Sequence, residues 1–326
     1  MFLSIKEFIF LLKTIYTISN FVAKKKTVIT IGTFDGVHYG HQKILKKLVK
    51  SAKKEGKNSV LLTFFPHPRT VLQKGGKIEL INTIEERIQL LKKTGIDFLV
   101  IHPFDKEFSK LTAFHFVRDV LVNQLHVSKL IIGYDHHFGK NREGNITQLT
   151  EYSNLFNFEI EEIKPQDINA VAVSSTKIRT ALHNGNLKTA NTYLGYHFMI
   201  NGVVVGGMNL GEKIGFPTAN IHVSETYKLV PKTGVYIIKS TIKGKVFFGM
   251  MNIGNRPTVN GKHQTIEVHF FDFNDNLYGK TLTIEFLYFL RDEKKFDGIE
   301  SLANQLKKDK KKSLKYIQEN KQFLLI

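Results

Sequence analysis

The stretch Thr27-Val-Ile-Thr-Ile-Gly-Thr-Phe-Asp-Gly-Val-His-Tyr-Gly-His41 decides the fold of the first half of the chain. Its opening run, Thr27–Gly32, is short, apolar and rich in β-branched residues, which predicts a buried strand. A helical pattern follows, with apolar residues repeating on one face as far as Gly56, a residue type that often ends helices. The glycines between strand and helix let the backbone turn tightly and approach a ligand closely. The stretch therefore predicts a strand–loop–helix unit with a binding site in its loop.

His38 and His41 stand three residues apart at the start of this helix, so their side chains share one face. The free N–H groups and the positive end of a helix make that position a ready phosphate site. Imidazoles there can donate hydrogen bonds to nucleotide phosphates and stabilise charge that develops at the α-phosphorus. Two other interpretations are a zinc-binding pair and two ordinary surface histidines. Zinc needs further ligands, and the sequence offers no cysteine and no obvious partner for the pair.

Strands and helices alternate through the rest of the first half. The predicted strands are Ser59–Phe65, Phe98–Ile101, Lys129–Gly133 and Phe158–Ile163. Thr83 and Glu86 form a capping box that opens one helix, and Ala113–Leu125 is another. This order predicts a Rossmann-like α/β domain, with a parallel sheet, helices on both faces and ligands at the carboxyl ends of the strands.

The texture of the sequence changes from about residue 198. Four β-rich runs then follow without helices between them, punctuated by Gly and Asn: Val235–Thr241, Val246–Ile253, Thr265–Phe273 and Leu282–Phe289. The pattern predicts an antiparallel β-barrel or sandwich, with a polar helix from about Ile299. We expect two domains, residues 1–184 and 185–326, with the boundary near His183–Lys188.

The chain has 326 residues and a formal net charge of +18. One interpretation of the charge is binding of nucleic acid or anionic ligands, and the other is codon bias in an AT-rich genome. We favour codon bias because the basic residues are spread along the chain. The densest cluster, Lys307–Lys315, includes Asp309 and is typical of a solvated helix face.

The absence of cysteine excludes disulfides and thiolate chemistry and is compatible with a reducing compartment. Residues 2–22 are rather apolar, but Lys6, Glu7 and Lys13 interrupt them, so we predict neither a membrane span nor a signal peptide. We therefore expect a cytoplasmic protein, a monomer or weak homo-oligomer, with no membrane and no nucleic acid among its partners.

The string Gly32–His41 resembles the signature of nucleotidyltransferases that carry the His-x-Gly-His motif. Three further segments are similar to the FMN adenylyltransferase branch of that superfamily, and they are Thr63-Phe-Phe-Pro-His-Pro68, Gly133-Tyr-Asp-His-His-Phe-Gly-Lys-Asn-Arg-Glu-Gly144 and Ser174-Ser-Thr-Lys-Ile-Arg179. The resemblance implies adenylyl transfer from ATP to FMN, with FAD and pyrophosphate as products. It implies nucleotide contacts at Gly32, Phe34, Gly36, His38, Gly40, His41, Ser174, Ser175, Thr176 and Arg179.

Within these segments, His38, His41 and Arg179 would stabilise the charge of the transferring phosphates. The hydroxyls that cap the helix after residue 173 again suit phosphate, although a routine helix cap would look the same. The resemblance implies flavin contacts at Pro66, His67, Asp135, Phe138 and Arg142. One departure is His136, where many relatives carry Phe.

The second half contains Gly211-Glu-Lys-Ile-Gly-Phe-Pro-Thr-Ala-Asn220, which resembles the signature of riboflavin kinase. Five other segments share that resemblance, and they are Gly234-Val-Tyr236, Asn252-Ile-Gly-Asn-Arg-Pro-Thr258, Ile266-Glu-Val-His269, Leu277-Tyr-Gly279 and Leu290-Arg-Asp-Glu-Lys-Lys-Phe296. Glu212 stands where a Walker A motif counted from Gly206 would need lysine, so phosphoryl transfer here uses another design. The resemblance implies phosphorylation of riboflavin to FMN by ATP.

The kinase roles follow from the chemistry of the side chains. Thr218 and Asn220 offer hard oxygen ligands for Mg²⁺ held with the ATP phosphates, beside Gly211 of the nucleotide loop. Glu267 interrupts an apolar strand and can accept the proton of the riboflavin 5′-hydroxyl, whereas by itself it would equally suit an outward, solvated position. Arg291 and Phe296 are implied flavin contacts.

Both signatures together, in this order, are typical of the bifunctional family that makes FMN and then FAD from riboflavin. The resemblance covers nearly the whole chain from about Val28. Glu212 and His136 motivate an alternative, in which one of the two activities is lost. A third hypothesis, a basic nucleic-acid-binding protein on the same scaffold, is supported by the net charge alone.

Overall fold

The computed structural model describes residues 12–72, 78–133, 137–163, 173–207, 210–258 and 261–324. The chain divides into two compact units, Met1–Ser174 and Ser175–Ile326. Over the residues described, no helix combines the length and the apolar character needed to cross a membrane. Each unit is described by itself below.

The first unit is built on one parallel sheet of six strands. In chain order these are β1 (Lys13–Ile15), β2 (Thr27–Ile31), β3 (Asn58–Phe65), β4 (Phe98–Pro103), β5 (Val127–Gly133) and β6 (Glu159–Ile163). Their order across the sheet is β1-β4-β3-β2-β5-β6. After β2, the chain adds β3 and then β4 on one side of β2. It then crosses over and adds β5 and β6 on the other side. Sheets of this kind bind ligands where the order reverses, at the carboxyl ends of β2 and β5.

Helices cover both faces of this sheet. They are α1 (Tyr39–Lys54), α2 (Pro68–Leu72), α3 (Ile84–Lys92), α4 (Ala113–His115) with a π-helical continuation over Phe116–Gln124, and α5 (Ile146–Phe156). Val28 packs into the core under α1 and α3, whereas Ile29 and Ile31 pack into the core on the opposite face. This alternation of neighbouring strand residues buries both faces of the sheet, and the predicted α/β architecture is confirmed.

The second unit is a closed antiparallel barrel. Its strands are β7 (Met199–Val205), β8 (Ala219–His222), β9 (Gly234–Ile242), β10 (Lys245–Thr258), β11 (Gly261–Phe270) and β12 (Thr281–Arg291). They follow one another around the barrel as β10-β11-β8-β7-β12-β9. Among the described residues, the helices of this unit are α6 (Ser175–His183), α7 (Leu187–Leu194), α8 (Leu210–Lys213) and α9 (Ile299–Leu324). The predicted barrel with a C-terminal helix is confirmed.

Helix α9 is tied to the barrel by an ion pair. Arg291, the last residue of β12, donates from Nε at 2.9 Å and from Nη2 at 2.7 Å to one carboxylate oxygen of Asp309. Asp309 is fully buried, and Gln305 donates a further hydrogen bond to it at 2.8 Å. The expectation that Asp309 belongs to a solvated helix face is therefore wrong. The lysines around Asp309 made the whole segment resemble an exposed face, whereas the Asp309 side chain lies on the side of the helix that packs against the barrel.

Three strands went unpredicted, for reasons that can be read in the sequence. Strand β1 is three residues long and comes from a stretch without alternation. Strand β8 is four residues long and begins directly after the predicted nucleotide loop, so its pairing with β11 depends on distant residues. Strand β7 contains Asn201 and Gly202, which weaken its β pattern.

We expect Asp309→Asn to destabilise the barrel unit by about 3 kcal/mol, because it leaves the Arg291 guanidinium without its buried counter-charge. Differential scanning calorimetry of the full chain would measure the loss. Glu319→Gln is the matched control on the same helix, since Glu319 is exposed and lies 3.8 Å from Lys315. The control should change stability by less than about 0.5 kcal/mol. Equal effects of the two substitutions would contradict a structural role for the Arg291–Asp309 pair.

Candidate active sites

The loop that follows β2 is held in a strained conformation. Phe34 and Val37 have positive φ angles of 49° and 36°, which L-residues rarely adopt, and Gly36 has a φ of 86°. Val37 is buried and its N–H donates to the Phe34 carbonyl at 3.0 Å, so the turn closes on itself. Gly32 leaves room for the Phe34 ring, because a Cβ at Gly32 would lie 3.0 Å from that ring. Strain of this kind persists only where the surroundings fix it, and it is common at ligand sites.

Two buried charged side chains fix the loop. The Asp35 carboxylate accepts hydrogen bonds from the backbone N–H groups of Ile81, at 3.0 Å, and Asn82, at 3.3 Å. Arg87 on α3 donates from Nη1 to the Thr33 carbonyl at 2.8 Å and lies 3.9 Å from Asp35. Arg87 and Asp35 each expose 1% of their surface. The loop is therefore bound to α3 and to the segment before it, and the predicted capping box of Thr83 and Glu86 holds the start of α3 in place.

His38 and His41 stack at the start of α1. Their ring centroids are 3.6 Å apart with an interplanar angle of 17°, and the Phe34 ring contacts His41 at 4.6 Å. His38 caps the helix, since its Nδ1 accepts from the His41 backbone N–H at 3.4 Å. Its proton therefore resides on Nε2, where it can be donated to a ligand. Nδ1 of His41 is shielded from solvent and has no hydrogen-bond partner among the described residues.

Both imidazoles are neutral at pH 7. Burial lowers the pKa of His38 from 6.5 to about 4, against a smaller opposing effect of Asp35. Burial also holds the pKa of His41 well below its usual range, and the electrostatic effects of His38 and Arg87 lower it further. Two neutral imidazoles can donate hydrogen bonds to phosphate oxygens without the repulsion that two adjacent cations would have. Among the described residues, no group of three or more His, Cys, Asp or Glu could hold a metal ion, so nothing there adds ligands to a zinc pair.

The residues predicted to contact flavin lie on two loops at the same edge of the sheet. Pro66 is exposed and His67 is partly buried, directly after β3. Arg142 is exposed with a φ of 60°, on the loop that follows β5. Phe138 is 8% exposed and packs 6.0 Å from the Phe116 ring, so it anchors this loop to the core. Asp135, like His136, lies outside the described residues.

The helix predicted after residue 173 is observed as α6. Ser175 and Thr176 lie in its first turn, Ser174 precedes it, and Arg179 follows one turn later. Ile178, which lies between Thr176 and Arg179 in the sequence, is fully buried and anchors the apolar face of the helix. The side chains of Ser174, Ser175 and Arg179 are partly buried.

The barrel contains a cavity of about 280 Å³. Its wall brings together five of the residues predicted for phosphoryl transfer from three separate segments: Gly211, Thr218, Glu267, Arg291 and Phe296. Glu267 is partly buried in β11 and faces this cavity, so the alternative of an outward, solvated glutamate does not hold. Apolar residues complete the wall, among them Ile214, Val235 and Met250. A small polar set in an apolar cleft is typical of a ligand site.

The nucleotide loop closes over its own backbone. The Phe216 N–H donates to the Gly211 carbonyl at 2.8 Å, and a Cβ at Gly211 would lie 2.2 Å from the Phe216 carbonyl oxygen. Only glycine fits there. Glu212 is exposed and is not among the residues that line the cavity.

Asn220 lies directly opposite Glu267 in the pairing of β8 with β11. Its side chain fills the space beside Gly207, where a Cβ would lie 1.9 Å from Nδ2 of Asn220. Asn220 is not among the residues that line the cavity, although Thr218, two residues earlier, is. Thr218 therefore lines the cavity, whereas Asn220 lies on β8 opposite Glu267.

Sequence reasoning missed two residues that the structure places at these sites. Arg87 is buried under the loop after β2, and its position one residue past the capping box gave no sign of that. His269 lines the barrel cavity two residues after Glu267. The alternation of a strand could have found His269, because residues two apart share a face.

The fold and the two sites define a class of two-part transferase, with a nucleotidyltransferase sheet and a barrel built for phosphoryl transfer. Comparison with known families agrees: the family described as FAD synthetase matches residues 21–177, and the family described as riboflavin kinase matches residues 194–317. The chain belongs to the family of bifunctional riboflavin kinase/FMN adenylyltransferases. The family predicted from the sequence motifs is thereby confirmed.

Curated relatives match along most of their length. The bifunctional riboflavin kinase/FMN adenylyltransferase of Haemophilus influenzae is 39% identical over 86% of this chain and 91% of its own. The protein of that name from Listeria monocytogenes is 39% identical over 86% and 90%. A crystal structure described as a macrolide-efflux protein from Streptococcus pneumoniae covers 92% of this chain and 97% of its own, at 30% identity and a TM-score of 0.83.

We expect acid to destabilise the first unit through His38. Between pH 6.5 and about 4 the unfolded imidazole binds a proton that the folded one does not, so the free energy of unfolding falls as pH falls. From pH 7 to pH 5 this amounts to about 2 kcal/mol. Calorimetry should show a smaller loss for His38→Gln than for the unmodified chain. His137→Gln, at an exposed histidine of the same unit, should leave the loss unchanged, and equal losses in all three proteins would contradict the assignment.

We expect Gly211→Ala to lower kcat/KM for ATP in riboflavin phosphorylation by about tenfold or more, because the loop must move away from the Phe216 carbonyl. Steady-state kinetics with varied ATP would measure it. Gly206→Ala is the control, since its Cβ would meet nothing within 4 Å. The control should keep kcat/KM for ATP within about twofold of the value for the unmodified chain. A similarly small change for Gly211→Ala would show that the loop tolerates a methyl group and would contradict the prediction.

Proposed function

We propose that this chain makes FAD from riboflavin in two ATP-dependent steps, with a separate site for each. The observation that carries the proposal is the separation of chemistry between the units. The strand-end loop of the first presents two neutral histidines at a helix N-terminus, while the cavity of the second encloses a carboxylate, Glu267, beside a nucleotide loop.

In the adenylyl transfer, a phosphate oxygen of FMN attacks the α-phosphorus of ATP, and the bond to pyrophosphate breaks. No protein nucleophile is needed. His38 and His41 donate hydrogen bonds to the phosphates as charge develops, and the N-terminus of α1 adds its free N–H groups. Arg179, with Ser174, Ser175 and Thr176, would bind the remaining phosphates. Gly32, Phe34, Gly36 and Gly40 shape the loop around the nucleotide.

The FMN site of the first unit would be formed by the loops after β3 and β5. Pro66 and His67 form one wall, and Arg142 supplies a cation to the phosphate of FMN. Phe138 and Asp135 stay predicted contacts of the flavin. The strained backbone at Arg142 supports a binding role, because a non-glycine residue with a φ of 60° needs a compensating interaction.

In the phosphoryl transfer, Glu267 accepts the proton of the riboflavin 5′-hydroxyl, and that oxygen attacks the γ-phosphorus of ATP as ADP leaves. Gly211 lets the nucleotide loop close over the phosphates. Phe296 lines the cavity as a flavin contact, and Arg291 lines it while bound to Asp309. Its ion pair fixes the guanidinium in position, so little rotamer entropy remains to be lost on binding.

Thr218 and Asn220 fit a magnesium ion that arrives with ATP. Hydroxyl and amide oxygens are hard ligands, and Mg²⁺ usually takes few protein ligands beside substrate phosphates and water. When bound, the ion would neutralise charge on the β- and γ-phosphates. Since both steps consume ATP, we further propose a cytoplasmic site of action, as a monomer or weak homo-oligomer without a nucleic-acid partner. The functional boundary at residue 184 would leave α6, with Arg179, in the adenylyltransferase half.

We expect two substitutions to separate the activities. His41→Gln should lower FAD formation from supplied FMN by about 100-fold and leave riboflavin phosphorylation within about twofold. Glu267→Gln should do the reverse, because the amide cannot accept the hydroxyl proton. A chromatographic time course with riboflavin, FMN and ATP-Mg²⁺ would measure both, and each variant is the folding control for the other. Loss of both activities in one folded variant would refute the assignment of two sites.

A further inference from the structure

Histidine 269 makes a contact that the phosphoryl-transfer chemistry described above does not use. Its Nδ1 lies 2.8 Å from the carbonyl oxygen of Pro217. A carbonyl can only accept, so the imidazole is the donor and its proton resides on Nδ1. The side chain is 7% exposed, and burial lowers its pKa, which keeps the ring neutral at pH 7.

The contact joins β11 to the backbone that leads into β8. Strand β8 pairs with β11 at two positions, Ala219 with Val268 and Asn220 with Glu267. The pairing ends at Ala219, so Thr218 and Pro217 lie beyond it, and Pro217 has no N–H to donate to a neighbouring strand. The His269 side chain reaches across from β11 and donates to the Pro217 carbonyl, which adds a link between β11 and the segment beyond the end of the ladder. It therefore binds the backbone directly before Thr218.

Strand geometry couples this contact to the proposed base. Glu267 and His269 are two residues apart on β11, and both line the cavity. The ring of His269 is held between Phe216, at 5.2 Å, and Phe271, at 5.8 Å, in edge-to-face contacts. The strand that carries the carboxylate thus also fixes the loop that carries the Mg²⁺ and nucleotide ligands.

We propose that His269 is a positioning residue for phosphoryl transfer, which sets Thr218 relative to Glu267 through its hydrogen bond to the Pro217 carbonyl. The inference rests on the proposed kinase role of those two residues. His269 touches neither reacting atom. It keeps the distance between base and phosphate ligands the same when the cavity is empty and when it is filled, which preserves the geometry that the reaction needs.

Three substitutions test the hydrogen bond against simple packing. His269→Asn keeps an N–H donor near the position of Nδ1, His269→Gln moves the amide to the position of Nε2, and His269→Leu fills the space without a donor. We expect the Leu and Gln variants to lose about tenfold or more in kcat and to gain in KM for ATP. The Asn variant should recover most of that loss. If His269 served packing alone, Leu would be best tolerated and Asn worst, and that order would overturn the proposal.

A double-mutant cycle adds a second readout. If His269 acts through Thr218, His269→Leu should cost much less in a Thr218→Ala background than in the unmodified chain. Full additivity would overturn the proposal. Calorimetry of the full chain serves as the folding control for every variant, because FAD formation from supplied FMN reports on the other unit. Failure of the proposed function is seen separately, as no phosphorylation of riboflavin by the unmodified chain or as full activity of Glu267→Gln.

Discussion

The contact of Arg87 with Asp35 and Thr33 is the constraint on which the first site depends. The loop after β2 must place two residues at positive φ and still present the N-terminus of α1 to a ligand. Such a loop would relax if it were free. Two buried side chains hold the loop in place. The Asp35 carboxylate accepts from two backbone N–H groups, and the Arg87 guanidinium donates to the Thr33 carbonyl. Both charges are buried, so each is costly without the other and together they specify one loop geometry.

This arrangement explains why the histidines can be neutral and stacked. A cap that accepts a backbone N–H needs an unprotonated nitrogen, so the helix start itself selects the neutral form of His38. Burial then keeps His41 neutral, and the nearby Arg87 charge acts in the same direction. The positive potential that phosphates require comes from the helix end and from more distant cations. The imidazoles supply directional hydrogen bonds, and they do so without repelling each other.

The first site could be predicted closely because its main parts lie within ten consecutive residues, Gly32–His41. The conformation of a strand, a glycine turn and a helix start is largely local, and so is the capping box at Thr83. The barrel site is different, because predicted residues from three distant segments meet in one cavity. There the residues were predicted from motifs that resemble those of the family. The alternation of inward and outward residues along a strand could not by itself decide whether Glu267 faces the cavity or solvent. Arg87 and Asp309 could not be predicted, since a buried charge is recognised by its partner, and each partner is distant in sequence.

The two units solve the same physical problem in different ways. In the proposed function both units bind triphosphate, the first with backbone N–H groups at a helix end and the second with a loop that contains a glycine and a proline. Gly211 has no side chain to block the turn, Pro217 has no N–H to donate to a neighbouring strand, and the pairing of β8 with β11 ends at Ala219. A loop freed from the ladder in this way can approach a nucleotide, but it needs a side chain to hold it. The requirement for His269 therefore follows from the same feature that makes the loop usable.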